Sequence, residues 1–526
     1  MKSIFKYTFA FSLLIGSVSC ENLDTLNEDP NNPEVVPSNM VMSAAEKLIV
    51  DNVYDQWFSL RQCLSYAQQI GQRNYTDEDR YQIRETTNNS YFKYLYLGLS
   101  NLQNVIDLNT NPETATLNSL YGNNQNQIAA ARIMKVWLFD LMTDTWGAIP
   151  YSEALKLTSG GDEVYAKYDD QKSIYADMIK ELTEAAAQIN EDEAAFTGGD
   201  VIFGGDAAKW KKFANSLKCR LAIHLSKVDS NWKNYIAEAL ESGVMTSNED
   251  VAEYKYSTTG TEYCCLFYEP FFIDRRNDFS ILKPFTDILS GKADVLNKKK
   301  HPWENVVDPR LKMFTVPRKD GSYDGLMYAP PSAIQVSSSG SAPSIKTQKL
   351  FYMAQDFAVP LMTYAELQFI LCEYNNYDSE YYKAGVKASL DYWSSRSGVS
   401  VEDETAYIDA VSANVDAEAC ALQKYIDLFT NGTEAWTEIR RTGYPEQLIR
   451  PGEIVGVVND KNIEFSPLEE VKGDIVARVK YPVDESTLNG DAFYEAIKQL
   501  EDGTNNSYSK MYWDVRKSTY DHPDNL

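Results

Sequence analysis

Helical periodicity on both sides of a long stretch that lacks it is the feature that most constrains this fold. Apolar residues recur at three- and four-residue spacing across about 39–250 and again across about 360–445, which is typical of helices with one buried face. Between them, at about 251–359, glycine, proline, serine and aromatic residues dominate and the periodicity is lost. Long irregular segments within a compact domain usually carry function. We therefore predict a mainly α chain whose loop-rich, irregular insert, with a few short strands, binds the ligand.

Individual helices are predicted where the periodicity starts and stops at capping residues, glycine or proline. In chain order the predicted helices are Met40–Gly71, Ser90–Leu108, Gln125–Thr143, Lys172–Ile189, Asp206–Lys227 with Asp206 as N-cap, Met362–Tyr374, Tyr381–Ser395, Ala417–Phe429 and Glu434–Arg440. The C-terminal part, 446–526, is predicted to be irregular. Helices in pairs suggest a helical-repeat scaffold, although no 34-residue consensus supports it and the prediction rests on periodicity alone.

The first residues have the pattern of a lipoprotein signal peptide. Lys2 and Lys6 precede an apolar stretch, 7–18, that is too short to span a bilayer. The stretch ends in Ser-Val-Ser immediately before Cys20. We predict that residues 1–19 are removed and that Cys20 carries lipid as the first residue of the mature chain. The alternative is an ordinary signal peptide followed by a chance cysteine.

Residues 20–38 are polar and contain three prolines, which predicts a flexible tether between the lipid and the body of the protein. The remainder, 39–526, is predicted to be one body. Export makes disulfides chemically feasible, but the six cysteines after Cys20 show no regular spacing. Because several of them lie within apolar helical patterns, we expect mostly free thiols that act as small hydrophobic side chains.

The net charge of -26 excludes some partners. Nucleic acid requires basic surface, and an anionic lipid surface would repel the chain, so only the lipid anchor is expected to hold it at a membrane. Neutral or cationic ligands fit this charge better. The alternative is that the acidic residues only keep the protein soluble.

No set of residues in the sequence predicts catalysis. The three histidines, His224, His301 and His522, lack metal-ligand spacing, and no nucleophile elbow or P-loop occurs. His224 lies on an apolar helix stripe and is predicted to be a packed core residue. No cofactor is expected, and no EF-hand spacing supports a structural Ca²⁺. Because the chain has 76 acidic residues, carboxylate pairs carry no information about glycoside hydrolysis, which stays an alternative.

Two clusters combine aromatic rings with arginine and amide side chains. Sugar rings stack their C–H faces on aromatic side chains, while their hydroxyls bond to polar groups. The candidate ligand-binding residues are Arg73, Asn74, Tyr75 and Tyr81 in the first cluster, and Tyr263, Tyr268, Phe271, Arg276, Asn277 and Asp278 in the second. The alternative is that these rings cover the helical core and the arginines pair with local acids.

Several blocks along the chain resemble one known family. They are Asn27–Pro33 soon after Cys20, Phe203–Lys218, Pro360–Leu367, Trp436–Pro445, Arg478 with Tyr481-Pro482, Glu485 with Asn489, and Tyr512–Asp514. In this order, and over nearly the whole chain, they resemble the SusD/RagB-like nutrient-binding lipoproteins of the outer membrane. Trp436–Pro445 has tryptophan and isoleucine at helical spacing and is interpreted as scaffold.

The resemblance implies a tetratricopeptide-like helix-pair scaffold, anchored by lipid and facing the cell exterior. It implies capture of an oligosaccharide and delivery to a SusC-like TonB-dependent outer-membrane barrel, without catalysis. Because binding residues in such a family vary with the ligand, none is transferred from the resemblance. The alternatives are a surface glycoside hydrolase, a peptide-binding lipoprotein and a structural lipoprotein.

Overall fold

A computed structural model describes residues 36–156, 165–332, 334 and 350–523. The predicted signal peptide, Cys20 and the tether up to residue 35 lie outside these residues. Helices make up about half of the described structure and the strands are few and short, which confirms the mainly α prediction. No helix in the described ranges combines the length and apolarity needed to cross a membrane.

Most of the longer helices lie in two groups on either side of the insert, with one inside the insert and one in the C-terminal part. They are α1 (Ser38–Val53), α2 (Glu85–Thr110), α3 (Pro112–Asn118), α4 (Asn124–Trp146), α5 (Gln171–Gln188), α6 (Ala207–His224), α7 (Trp232–Ser242), α8 (Lys283–Leu289), α9 (Tyr364–Tyr374), α10 (Ser379–Ser397), α11 (Glu404–Val411), α12 (Ala417–Asp427), α13 (Gly432–Thr442) and α14 (Gly490–Lys498). One-turn helices lie at Leu64–Tyr66, Leu311–Phe314 and Glu485–Leu488, and π-helical turns at Ser59–Cys63 and Glu269–Ile273.

Successive helices pack in pairs along the scaffold. Helix α1 packs on α2, α4 on both α2 and α5, and α6 on both α5 and α7. Helix α9 joins the second group to the first, because it packs on α6 as well as on α10 and α12. Helix α13 contacts α4 and the turn after α1, so the two groups share one continuous apolar core.

Short strands fasten the insert to this scaffold. They are β1 (Ile70–Gln72), β2 (Ile149–Pro150), β3 (Tyr168–Asp169), β4 (Ala252–Lys255), β5 (Phe279–Ile281), β6 (Ala358–Met362), β7 (Ile454–Val458) and β8 (Lys461–Glu464). Among the described residues they form four two-stranded antiparallel sheets, β1-β5, β2-β3, β4-β6 and β7-β8. Sheet β4-β6 joins the two ends of the insert, and β1-β5 joins its middle to the segment after α1.

The single helix predicted over Met40–Gly71 is wrong. Helix α1 ends at Val53, and the chain continues through a π-helical turn and a one-turn helix into β1. Asp55 causes the break, because its carboxylate accepts hydrogen bonds from the amides of Phe58 and Ser59 at 2.7 and 2.9 Å. The apolar spacing persists because both faces of this segment are buried, so periodicity alone did not reveal the interruption.

Other helices begin and end within a few residues of their predicted bounds. Asp206 is an N-cap as predicted, and its carboxylate accepts from the Lys209 amide at 3.0 Å. Helices α3, α7, α8, α11 and α14 and the β7-β8 hairpin were not predicted. The six cysteines of the described residues are buried and free, which confirms the thiol prediction.

The turn before α6 has a structural role. The Asp200 carboxylate accepts hydrogen bonds from the Gly205 amide and the Trp210 indole, both at 2.8 Å. Gly204 and Gly205 both have positive φ, at +63° and +86°. An added Cβ at Gly204 meets nothing within 4 Å, whereas at Gly205 it would lie 1.8 Å from the carbonyl oxygen of Phe196.

These two glycines form a matched pair for measuring the clash. Gly204→Ala places an alanine in the left-handed backbone conformation without any clash and should lower the free energy of unfolding by about 1 kcal/mol. Gly205→Ala adds a clash with backbone and should lower it by roughly 3 kcal/mol. Urea unfolding of both variants measures the difference, and equal losses would contradict this account of the turn.

Candidate functional site

The pairing of β1 with β5 brings the two predicted clusters together. Gln72 lies opposite Phe279 in the sheet, and the Arg73 amide donates to the Asp278 carbonyl at 2.5 Å. Residues 73–75 and 275–278 therefore extend from the same end of this sheet. The predicted residues Arg73, Asn74, Tyr75, Arg276, Asn277 and Asp278 consequently belong to one region of the surface.

Trp57 is the aromatic residue at this region that the sequence did not single out. Its side chain is 42% exposed. The Arg61 guanidinium lies 4.2 Å from the Trp57 ring centroid and 4.8 Å from that of Phe279, which is cation–π geometry on both sides. Arg61 also donates to the Gln56 carbonyl at 2.6 Å. These contacts hold an exposed indole in one orientation.

The two π-helical turns meet beside Trp57. The Gln56 side-chain amide donates to Asp274 at 2.9 Å and lies 3.4 Å from a Glu269 carboxylate oxygen. This contact places the turn Glu269–Ile273 next to the segment that carries Trp57. Single π-helical turns are often found at functional sites. Here one of them, which carries Arg61, is buried beneath Trp57, and the other lies beside it.

Arginine and acidic side chains at this region lie at different depths. Arg84 forms an ion pair with Glu78, and Asp278 forms ion pairs with Arg276 and Arg61. The side chains of Glu78 and Asp278 are only 2% and 10% exposed, whereas those of Arg84 and Arg276 are 48% and 46% exposed. The carboxylates thus lie beneath the surface and the guanidinium groups face solvent.

The pKa of Arg61 reports how close these charges are. Burial lowers the pKa of Arg61. The carboxylates of Glu78 and Asp278 raise it, whereas the guanidinium groups of Arg276 and Arg84 lower it. The other four side chains therefore all lie close enough to Arg61 to act on its charge. We call Trp57, Tyr75, Arg84 and Arg276 the Trp57 face.

The predicted tyrosines differ in what they present to solvent. Tyr75 is 70% exposed and has a φ of +60°, a conformation that is uncommon outside glycine and often occurs at functional sites. Tyr263 is exposed on the turn Thr261–Tyr263. Tyr268 is half-buried and stacks on Phe272 with ring centroids 4.7 Å apart. No described contact joins Tyr263 to the Trp57 face.

Tyr81 and Phe271 are corrections to the predicted site. Both are buried. The Tyr81 ring packs edge-on against Tyr66 and Phe465, and the Phe271 ring packs against Phe279. They belong to the apolar core beneath the surface, so neither can contact a ligand directly.

Two open cavities lie away from these residues. One, of about 460 Å³, is bordered by α2 and by residues near 482–489; the other, of about 570 Å³, lies beside α10. None of the predicted site residues lines either cavity. The first is also bordered by Leu155 and Ala166.

His224 is buried as predicted, but its neighbours are charged. Its Nε2 lies 3.1 Å from Glu434, and its Nδ1 lies 3.0 Å from the Tyr175 hydroxyl and 3.5 Å from Asp144. Asp140 and Glu438 complete the ring of carboxylates around the imidazole.

Two groups of three residues place potential metal-ligating atoms close together. One is Asp140, Asp144 and His224, and the other is His224, Glu434 and Glu438. The protein's own cations compensate these carboxylates. Arg220 bonds to Glu366 at 2.6 Å and lies 3.7 Å from Glu434, while Arg441 and Lys424 lie 2.8 and 3.3 Å from Glu438. The arrangement fits a buried ion network that joins α4, α6, α9, α12 and α13.

The protonation state of His224 follows from its neighbours. Burial alone would lower the pKa of His224, but Glu434, Asp144 and Asp140 outweigh burial and raise the pKa to about 9. Burial raises the pKa of Glu434, but Arg220 and then His224 outweigh burial and lower the pKa to about 2. His224 is therefore a cation at neutral pH.

A family model described as "Starch-binding associating with outer membrane" (SusD-like) matches residues 30–465. The match spans both helical groups and the insert between them. The comparison with curated proteins gives no match.

Solved structures of similar shape cover nearly the whole chain. A chitin-binding protein is 23% identical and has a TM-score of 0.71, covering 91% of this chain and 100% of its own. A SusD homolog from Parabacteroides distasonis is 21% identical with a TM-score of 0.71, covering 91% and 98%. A chitin-binding SusD homolog from Flavobacterium johnsoniae is 20% identical with a TM-score of 0.68, covering 91% and 99%. At these identities the likeness shows a shared fold.

The charge on His224 should make stability depend on pH above neutrality. Because its folded pKa of about 9 exceeds the usual value of 6.5, the stabilisation is complete below pH 6.5 and is lost as pH rises through 9. The contribution is at most about 3 kcal/mol. Urea unfolding at pH 6.5 and 8.5 should show a fall in the free energy of unfolding that is greatly reduced in His224→Gln. The same fall in both proteins would exclude His224 as its source.

Proposed function

The chain belongs to the SusD-like family, and on that premise we propose that it is a cell-surface binding protein that captures an oligosaccharide and delivers it chemically unchanged to a TonB-dependent outer-membrane transporter. The observation that supports this proposal best is the Trp57 face. There an exposed indole is held in place by Arg61, and hydrogen-bond donors from Arg84 and Arg276 surround the same surface.

The Trp57 face combines the two kinds of contact that a sugar needs. A pyranose ring can stack its C–H face on the Trp57 indole, and its hydroxyls can accept hydrogen bonds from the arginines. Because the Arg61 guanidinium already packs on the Trp57 ring, ligand binding restricts little additional motion of this side chain. Tyr75 offers a second ring on the loop that leaves β1.

The absence of catalysis is part of the proposal. A glycoside hydrolase needs two carboxyl groups facing the scissile bond across a cleft, one of them protonated. At the Trp57 face, Glu78 and Asp278 are buried and form ion pairs with arginines. Because both carboxylates are covered and already paired, neither faces a ligand at this surface.

Delivery to a transporter rests on the family. The family description associates its members with the outer membrane, and two of the similar structures are described as chitin-binding. We propose a SusC-like TonB-dependent barrel as the partner and lipid on Cys20 as the link to the membrane. A fully extended tether over 20–38 would reach about 60 Å, enough for the protein to move above a barrel while attached.

Binding should depend on the aromatic residues of the Trp57 face. The mature chain without residues 1–20 is screened against oligosaccharides and peptides, and hits are measured by calorimetry with product analysis. Trp57→Ala and Tyr75→Ala should each weaken oligosaccharide binding about tenfold or more, because each removes a stacking surface. Both variants should keep a melting temperature near that of the wild type.

Tyr494→Ala is the matched control, since Tyr494 is an exposed ring on α14, and it should bind normally. Unchanged affinity in both Trp57→Ala and Tyr75→Ala would remove the Trp57 face as the binding site. Sustained hydrolysis abolished by one carboxylate substitution would replace capture with catalysis. Binding of peptides alone would change the ligand class.

The anchor can be tested separately from the ligand. Cys20→Ala should move the protein from the membrane fraction to the soluble fraction of cells, because the described residues contain no helix that could span a membrane and the acidic chain gains no attraction from anionic lipid. Immunoblotting of the fractions measures the change. Retention of the variant in the membrane fraction would contradict lipidation at Cys20.

A further inference from the structure

The exposed members of the ion pairs at the Trp57 face are arginines, although the chain as a whole is acidic and Glu269 and Asp274 lie on the turn beside Trp57. The chain carries a net charge of -26. Around Trp57, however, three arginines, Arg61, Arg84 and Arg276, are paired with only two carboxylates, Glu78 and Asp278. The overall acidity, which by itself favours a neutral or cationic ligand, does not describe this surface.

The arginines of these ion pairs are more exposed than the carboxylates. The two carboxylates are almost fully covered, whereas Arg84 and Arg276 are about half-exposed. Exposed charges lose most of their influence beyond about 8 Å in physiological salt, so a ligand at the surface experiences mainly the nearest groups. Among the paired groups of this face, the nearest are the guanidinium groups of Arg84 and Arg276.

Three other arginines of the described structure serve a different purpose. Arg220, Arg310 and Arg516 also form ion pairs with carboxylates, but their side chains are at most 3% exposed. Each is used within the core. Arg84 and Arg276 instead place a paired guanidinium at the surface, next to an exposed indole that Arg61 holds from below.

We propose that the ligand of the Trp57 face is an anionic glycan, whose carboxylate or sulfate groups are bound by Arg84 and Arg276 while a sugar ring stacks on Trp57. Arginine suits this role because its planar guanidinium donates two parallel hydrogen bonds to a carboxylate or sulfate group. This inference rests on the proposed glycan capture and specifies the class of glycan.

Matched pairs of glycans separate the effect of charge from that of the sugar. The mature chain is titrated with oligogalacturonate and its fully methyl-esterified form, and with dextran sulfate and dextran oligosaccharides of equal length. The anionic member of at least one pair should bind about tenfold more tightly at low salt. Raising the NaCl concentration should reduce this advantage, because salt screens exposed charges.

Arg276→Gln tests the assigned contact. The substitution removes one exposed guanidinium but leaves Asp278 within 3.7 Å of Arg61, so no carboxylate is left without a cation. It should weaken binding of the anionic glycan about tenfold more than binding of its neutral partner, because the neutral glycan loses only a hydroxyl contact. Lys180→Gln is the control, since it removes an exposed cation that pairs with Glu184 on α5. Its binding should equal that of the wild type.

The outcomes distinguish this inference from the capture proposal. If neutral glycans bind as tightly as their anionic partners and Arg276→Gln changes neither, the anionic ligand is excluded while glycan capture stands. If no glycan of either charge binds, the proposed capture fails and the inference fails with it. A preference for the anionic member of the galacturonate pair alone supports the inference and identifies carboxylate as the bound group. A preference for the anionic member of the dextran pair alone supports it and identifies sulfate.

Discussion

The buried ion network around His224 is the constraint on which the rest of the structure depends. A charge without a partner in the core would cost several kcal/mol, so each member must find its counterion in one arrangement of the helices. His224 on α6 faces Asp144 on α4 and Glu434 on α13, and Arg220 reaches Glu366 on α9. The two helical groups are therefore held in register with each other by charge as well as by apolar packing.

This frame allows an irregular insert to present a defined surface. Trp513, near the C terminus, donates its indole N–H to Asp144 at 2.8 Å and so joins the last residues to the same network. With the helices fixed, the short sheets β1-β5 and β4-β6 suffice to hold the insert at its middle and at its ends. The Trp57 face lies where β1-β5 meets the turn after α1, so loop residues are positioned by a rigid scaffold.

The sequence predicts those elements whose structure follows from local apolar spacing. It does not predict those that depend on contacts between residues distant in the sequence. Helix α4 could be predicted because its apolar face is wide, and the two arginine-rich clusters could be identified from composition. Trp57 could not, because it lies in a stretch whose apolar spacing continues through the break at Asp55. Tyr81 and Phe271 were misassigned because composition does not distinguish an aromatic ring in the core from one at the surface.

The acidic surface and the arginines of the Trp57 face act together if the ligand is anionic. Acidic groups over most of the protein weaken nonspecific contact with a polyanion, whereas Arg84 and Arg276 attract it locally. Specificity then arises from repulsion elsewhere as much as from attraction at the site. Because Glu78 and Asp278 lie beneath the arginines, they fix the guanidinium groups without masking them, and the face is oriented before a ligand arrives.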